Sequence, residues 1–451
     1  MTELSVAHRM ALAQVVEGVP DRTLRQLTLA VSGMPGDKAR ALETMLAAET
    51  LDRVRRARGF AALTPLFRPR ADGVEATTFP PGVLPRLWKI ASSREPNILP
   101  LLDDDDEREA ARTAAVCARL CATAAAAVRD RPNEVWPLAL GDPTMRDKGL
   151  EDLAHCCDFG GLVYRALPSL KAWVGRPDGD QVAELRLLVR DASEMIPDGA
   201  ERLMDMLFAH LGEAALILRL MVHTSTAAAR GAFLSESELA VFVDRLVVGM
   251  EARCVRIVAF KPGGQIESFC ADLEWCADVL KELEATVQVD REGDWGKRLR
   301  EVRVRVGKRL GELLSGVTRL VDKVVPMHKV QTSGRMTRNA PNLEIGLEPA
   351  TVQAAQDALK MVGMVRNLAG PFGCEAQRSA LVQGLTVQLS GYADLILEDV
   401  NSGDAPDEAT AIDRAVVVAG FLEQIAALTE ARAVRRRTAV AGVPVPMKLS
   451  A

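Results

Sequence analysis

Residues 266–287 read IESFCADLEWCADVLKELEATV, and residues 294–324 read DWGKRLREVRVRVGKRLGELLSGVTRLVDKV. In the first stretch apolar residues recur at alternating spacings of three and four, an unbroken heptad pattern, and in the second they recur at spacings of three or four, so each stretch predicts a helix with one apolar seam. A polar turn containing Gly293 separates them. Because so short a turn reverses the chain, the sequence predicts a coiled-coil-like antiparallel helical hairpin. The seam residues are Ile266, Phe269, Leu273, Cys276, Leu280, Leu283 and Val287 in the first stretch, and Leu299, Val302, Val306, Leu310, Leu313, Val317, Leu320 and Val324 in the second.

The composition extends this helical prediction to the whole chain. Of 451 residues, 48% are hydrophobic and 26% are charged, as in an ordinary folded protein, but only 4% are aromatic. Strands favour aromatic and β-branched residues, whereas Ala, Leu, Arg and Glu favour helices. We therefore predict an all-α multi-helix bundle.

The organisation along the chain changes near residue 180. Residues 1–180 contain short apolar patterns broken by Gly and Pro, including Pro80-Pro81, and predict an irregular, Pro-rich helical N-terminal domain. Residues 130–180 in particular predict only one short helix, near 150–164. Residues 181–440 show cleaner helical periodicity and predict a helical bundle domain, with a helix near 198–224. Residues 441–451, with two prolines, predict a flexible tail.

The charge distribution is strongly uneven. Residues 295–339 contain twelve Lys or Arg and three acids, a net charge of +9, whereas the whole chain has a net charge of −5. A cationic segment in an acidic chain predicts a surface that attracts an anionic partner. The connection at 326–348, which we expect to lack regular structure, belongs to the same segment. Loops of that length are often functional.

The candidate binding residues are the cations beside the second apolar seam and in the connection after it. Eight of the twelve cations are Arg, whose planar guanidinium suits carboxylate and phosphate. The alternative is a face that is solvated or neutralised by acids of neighbouring helices. The predicted anion- or partner-binding residues are Arg298, Arg300, Arg303, Arg305, Lys308, Arg309, Lys329, Arg335 and Arg338.

Other chemistry finds little support in the sequence. Cys117, Cys121 and the run from His155 to Cys157 have no paired Cys-x-x-Cys spacing, so we predict no metal site and no cofactor. Neither a phosphate-cradling glycine loop nor a nucleophile elbow is present. The apolar residues 203–222 are interrupted by four ionisable side chains and predict a buried helix, without a membrane span. Eight scattered cysteines and no evident export signal predict a cytoplasmic protein.

Three functions remain open from the sequence. The first is a non-enzymatic interaction or scaffold protein that binds an acidic protein partner or self-assembles as a homo-oligomer. The second is a nucleic-acid-associated protein that contacts phosphates without reading sequence, although residues 296–339 contain no aromatic residue for base stacking. The third is an enzyme with a site between core helices.

Overall fold

A computed structural model describes residues 6–103, 110–140, 142–224, 240–287, 289–331 and 337–441. Within these residues, helices joined by short connections form nearly all of the regular structure, together with one two-stranded sheet. The predicted all-α multi-helix class is confirmed.

The chain divides into two compact units. One comprises Met1–Ala229 and Phe233–Val241, and the other comprises Arg230–Ala232 and Phe242–Ala451. The boundary predicted near residue 180 falls inside the first unit. The predicted tail, from residue 442 onward, lies outside the described residues.

The first unit is built from ten helices among its described residues, with 3-10 turns at Thr64–Phe67 and Pro96–Leu102. The helices are α1 (Val6–Gly18), α2 (Asp21–Val31), α3 (Asp37–Gly59), α4 (Val83–Arg94), α5 (Ala110–Asp130), α6 (Pro132–Val135), α7 (Pro143–Trp173), α8 (Gly179–Met195), α9 (Gly199–Phe208) and α10 (Ala215–Thr224). The single helix predicted near 198–224 is wrong, because residues 209–214 separate α9 from α10.

Helix α7 corrects the expectation of a short helix in an irregular region. It runs unbroken for 31 residues, and its glycines are sites of close packing instead of breaks. A Cβ on Gly160 would lie 2.5 Å from the Cys121 Sγ atom, and one on Gly161 would lie 2.9 Å from the Ala118 Cβ atom. The Ala-rich helix α5 therefore packs against α7 at a distance that side chains larger than Gly would prevent.

One described helix, Ala111–Asp130, is long and apolar enough to cross a membrane by length and composition alone. It carries buried residues such as Leu120 and Ala124 that pack in the first unit. The absence of a membrane span stays a prediction.

The second unit contains seven helices among its described residues, with 3-10 turns at Val365–Asn367 and Gly370–Phe372. The helices are α11 (Ala240–Ala259), α12 (Ile266–Thr286), α13 (Asp294–Val324), α14 (Pro349–Met364), α15 (Glu375–Ser402), α16 (Glu408–Gln424) and α17 (Leu428–Val440).

Helices α12 and α13 bear the two quoted apolar seams. Every seam residue is buried except Leu320, which is half-buried. Helix α13 ends at Val324 just before Pro326, whose missing N–H and ring disfavour helix continuation. Coiled-coil pairing of the two seams stays a prediction.

The connection after α13 is partly a β-ribbon, whereas the sequence predicted no regular structure there. Strands β1 (Met327–Gln331) and β2 (Thr337–Pro341) pair antiparallel, with Val330 opposite Arg338. Seven of their ten residues are exposed, and the two buried ones are consecutive at the end of β2, so neither strand shows the alternation of buried and exposed residues that identifies a strand in a sequence.

A fully buried arginine fixes the segment that follows the ribbon. Arg414 of α16 donates hydrogen bonds to the carbonyl oxygens of Asn342, at 2.7 Å, and of Ile345. It also donates to the Tyr392 hydroxyl at 3.3 Å. A buried guanidinium needs such acceptors because burial of an unpartnered charge is costly.

We predict opposite effects for two Gly→Ala changes in α13. A methyl group at position 307 would lie 2.6 Å from the Phe372 carbonyl oxygen, whereas one at position 316 would meet nothing within 4 Å. Gly307→Ala should lower the free energy of unfolding by about 1–3 kcal/mol through overpacking. Gly316→Ala should raise it by up to about 1 kcal/mol through helix propensity. Urea denaturation of both variants checks this, and a change of the same sign in both would contradict it.

We also predict that Ala426→Gly stabilises the second unit. Ala426 follows the C-terminus of α16 with φ of +63°, a left-handed conformation that disfavours a side chain. Gly403 has the same role after α15, with φ of +76° and open space around its Cβ position. Ala426→Gly should raise the free energy of unfolding by about 0.5–1 kcal/mol, and Gly403→Ala should lower it by a similar amount. Urea denaturation of the two variants measures both changes. A neutral effect of Gly403→Ala on the free energy of unfolding would contradict the prediction.

Candidate functional site

Helix α13 presents most of the predicted cationic site. One stripe of the helix is buried in the second unit, so its arginines project from the flanks of that stripe and from the exposed side. The flanking arginines are only partly exposed, and a partly desolvated guanidinium favours a carboxylate neighbour.

Arg298 makes the most extensive ion pairs of the site. Its Nε and Nη2 atoms donate to both carboxylate oxygens of Glu251, each at 2.8 Å, and Nη1 donates to Asp244 at 2.6 Å. Asp294 lies 3.5 Å away. The hydrogen bond from Arg298 lowers the pKa of Glu251, and the Glu251 bond raises the pKa of Arg298. These bonds join α11 to α13 and leave Arg298 with little capacity for an outside anion.

Four further predicted residues are also paired with acids of the chain. Arg300 lies 3.2 Å from Glu292, Arg305 lies 3.6 Å from Glu301, and Arg309 lies 3.1 Å from Glu312. Arg303 pairs with Glu284, and Arg309 also donates to the Phe260 carbonyl oxygen. These four and Arg298 are therefore paired with acids of the chain itself, which is the alternative that the sequence left open. The binding roles of all five stay predictions.

The most exposed stripe of α13 carries both charge signs in alternation. Residues three or four positions apart share a helix face. On this face the stripe contains as many acids as cations, which is typical of a solvated helix surface. Its members are Lys297, Glu301, Val304, Lys308, Glu312, Ser315, Arg319 and Asp322.

Arg300 and Arg303 meet at a cleft of about 700 Å³ beside the turn between α12 and α13. We call this the turn cleft. Three arginines line it together with Glu284, and the third, Arg291, has no acid within 4 Å among the described residues. Arg300 also donates to the Arg291 carbonyl oxygen at 2.7 Å, which orders the turn. The aliphatic lining of the cleft comes from Leu280, Leu283, Val287, Val289 and Leu299.

The turn cleft was not predicted, because four of its five aliphatic residues had been assigned to the helix seams. Arg291 lies in the polar turn, outside the cationic segment of residues 295–339. Arg291 lies nine residues before Arg300, across a Gly-containing turn. This spacing is the one signal in the sequence that could have predicted that the two arginines share a cleft.

The remaining predicted residues are not brought into the cleft. Lys308 is exposed on α13, and Lys329 and Arg338 are exposed on the β-ribbon. The strand register places Lys329 and Arg338 on opposite faces of the ribbon, because Lys329 is paired with Asn339. Arg335 lies outside the described residues.

The cysteines and the possible metal ligands show no sign of reactive chemistry. All eight thiols are free and buried. Burial raises the pKa of Cys117 to about 11 and that of Cys156 to about 12, so both are protonated at neutral pH. Among the described residues, no group of three or more His, Cys, Asp or Glu is placed to hold a metal ion.

Comparisons with known proteins give no relative for this chain: no family model, curated protein or solved structure matches it.

We predict that the Arg298 pairs make stability depend on pH on the acid side. Because the folded pKa of Glu251 lies below its ordinary value of 4.5, the stabilisation is complete above that value. It is lost as the pH falls through the lower, folded value. Arg298→Gln should therefore cost about 1 kcal/mol near pH 7 and reduce the further loss at low pH.

Urea denaturation at pH 7 and at pH 3–4 measures this effect. Lys308→Gln is the matched control, since it removes an exposed cation of the same helix that has no acid within 4 Å among the described residues. An unchanged acid-side loss in Arg298→Gln would contradict the prediction.

Proposed function

We propose that this chain is a non-enzymatic interaction protein that binds an acidic segment of a partner protein in the turn cleft. The observation that carries the proposal is the placement of three guanidinium groups, on Arg291, Arg300 and Arg303, around an aliphatic lining. Glu284 and Glu292 are the acids paired there, so the cationic groups outnumber them.

The chemistry of the cleft suits a partner with carboxylates beside an aliphatic side chain. Arginine is enriched at protein interfaces and among the residues that contribute most of their binding energy. Arg300 and Arg303 are already held by ion pairs, so they lose little conformational freedom when a carboxylate arrives. Arg291 has open donors for a bidentate carboxylate contact.

Self-assembly and a cytoplasmic location form part of the same proposal. A second copy could supply the acidic segment, since residues outside 295–339 carry a net charge of about −14 by subtraction from the chain total. The eight free thiols fit a reducing compartment.

A second candidate function is nucleic-acid association through the β-ribbon. Lys329 and Arg338 have no acid within 4 Å among the described residues, and a two-stranded ribbon fits the major groove of duplex DNA. Its cations would contact phosphates and give binding that weakens steeply with salt.

We predict that reversing the cleft charges abolishes binding of an acidic peptide. The triple variant Arg291→Glu, Arg300→Glu and Arg303→Glu should weaken binding of a Glu- and Leu-containing peptide by at least about tenfold. The control with the same change in charge is Lys297→Glu, Lys308→Glu and Lys323→Glu, which alters exposed cations outside the cleft. Fluorescence anisotropy of a labelled peptide measures both, after circular dichroism has confirmed folding.

Equal losses in the two triple variants would contradict the cleft, because binding would then follow net charge alone. Light scattering distinguishes self-assembly from binding of a different protein. If the native chain forms an oligomer and the cleft variant does not, the partner is a second copy of the chain. Duplex DNA binding that is lost in Lys329→Glu with Arg338→Glu, and kept in the cleft variant, would support the second candidate instead.

A further inference from the structure

A second cavity of the second unit, separate from the turn cleft, is formed by α12, α13, α14 and the turn before α12. Its volume is about 390 Å³, within the range of small-molecule sites. We call it the Arg319 pocket. The main apolar side chains of its lining are Phe260, Ile266, Leu313, Leu320, Ala358 and Met361. Phe260 stacks on Phe269 with 4.4 Å between ring centroids, which holds this wall in place.

Small residues keep this pocket open. Gly316 of α13 and Ala354 and Ala358 of α14 line it where these two helices would otherwise fill the space with side chains. A Cβ at Gly316 would meet nothing within 4 Å.

The charged groups at the pocket differ in how they are bonded. Arg309 and Glu312 are paired at 3.1 Å, and Arg309 also donates to the Phe260 carbonyl oxygen. Asp357 accepts a hydrogen bond from Gln353 at 2.8 Å. Arg319 is exposed, and among the described residues it has neither an ion pair nor a hydrogen bond. Its guanidinium is therefore the group with donors left for a ligand.

We propose that the Arg319 pocket binds a small amphipathic anion, an unbranched aliphatic monocarboxylate whose chain lies on the apolar lining and whose carboxylate meets Arg319. Burial of the chain supplies a non-directional driving force, and the guanidinium fixes the orientation through paired hydrogen bonds. This site goes beyond the proposed protein-partner function and does not depend on it.

Isothermal titration calorimetry of the full chain with decanoate tests the assignment. Gly316→Leu should fill the pocket, and Arg319→Gln should remove the contact with the carboxylate, so each should weaken decanoate binding by about tenfold or more. Lys323→Gln, on the same helix and with the same change in charge, does not line the pocket and should leave binding unchanged. Circular dichroism and urea denaturation of each variant confirm the fold.

One neutral probe, decanol, and one cationic probe, decylamine, test the chemistry of the head group. Decanol should bind the native chain about tenfold more weakly than decanoate and should be insensitive to Arg319→Gln. Decylamine binding more tightly than decanoate would overturn the anionic assignment, since Glu312 and Asp357 would then select the ligand. The site itself is refuted if native protein takes up no decanoate, or if Gly316→Leu binds it as well as the native chain does.

The failure of this proposal and that of the proposed function are distinguishable. The triple turn-cleft variant changes no residue that lines the Arg319 pocket, so it should bind decanoate as the native chain does.

Discussion

The second unit depends on the burial of one highly charged helix. The apolar stripe of α13 must enter the core, and the arginines beside it lose part of their hydration as a result. Glu251 and Asp244 compensate Arg298, and Glu284 compensates Arg303. A segment with a large formal charge thus becomes mainly an internal element, and only a few of its cations keep donors available for a ligand.

Close backbone approach is the second constraint, and it recurs in both units. Gly160 and Gly161 let α7 lie against α5, and Gly307 lets α13 lie against the turn at Phe372. Each of these glycines weakens its own helix, at about 1 kcal/mol, but permits contacts that a methyl group would block. Gly316 differs, because open space surrounds its Cβ position and a pocket remains there.

Local patterns in the sequence predicted the all-α class and the apolar seams of α12 and α13. They failed where tertiary contacts override local preference: residues 130–180 suggested only one short helix near 150–164, whereas α7 runs unbroken from Pro143 to Trp173. The β-ribbon was not predicted because buried and exposed residues do not alternate along its strands. The ion-pair partners of Arg298 could not be predicted from local patterns either, because Asp244 and Glu251 lie 54 and 47 positions earlier in the chain.

The ion pairs that could not be predicted from the sequence also explain where the candidate sites lie. A charge count along the chain measures formal charge, whereas a ligand meets only the charge that remains after the fold has paired its own ions. Of the described arginines that line the turn cleft and the Arg319 pocket, Arg291 and Arg319 are the two left without an ion pair. Arg291 lies outside the cationic segment, and Arg319 was not among the residues selected from it. The two sites that we propose therefore lie where unpaired arginines adjoin apolar side chains, and the density of cations in the sequence did not predict either position.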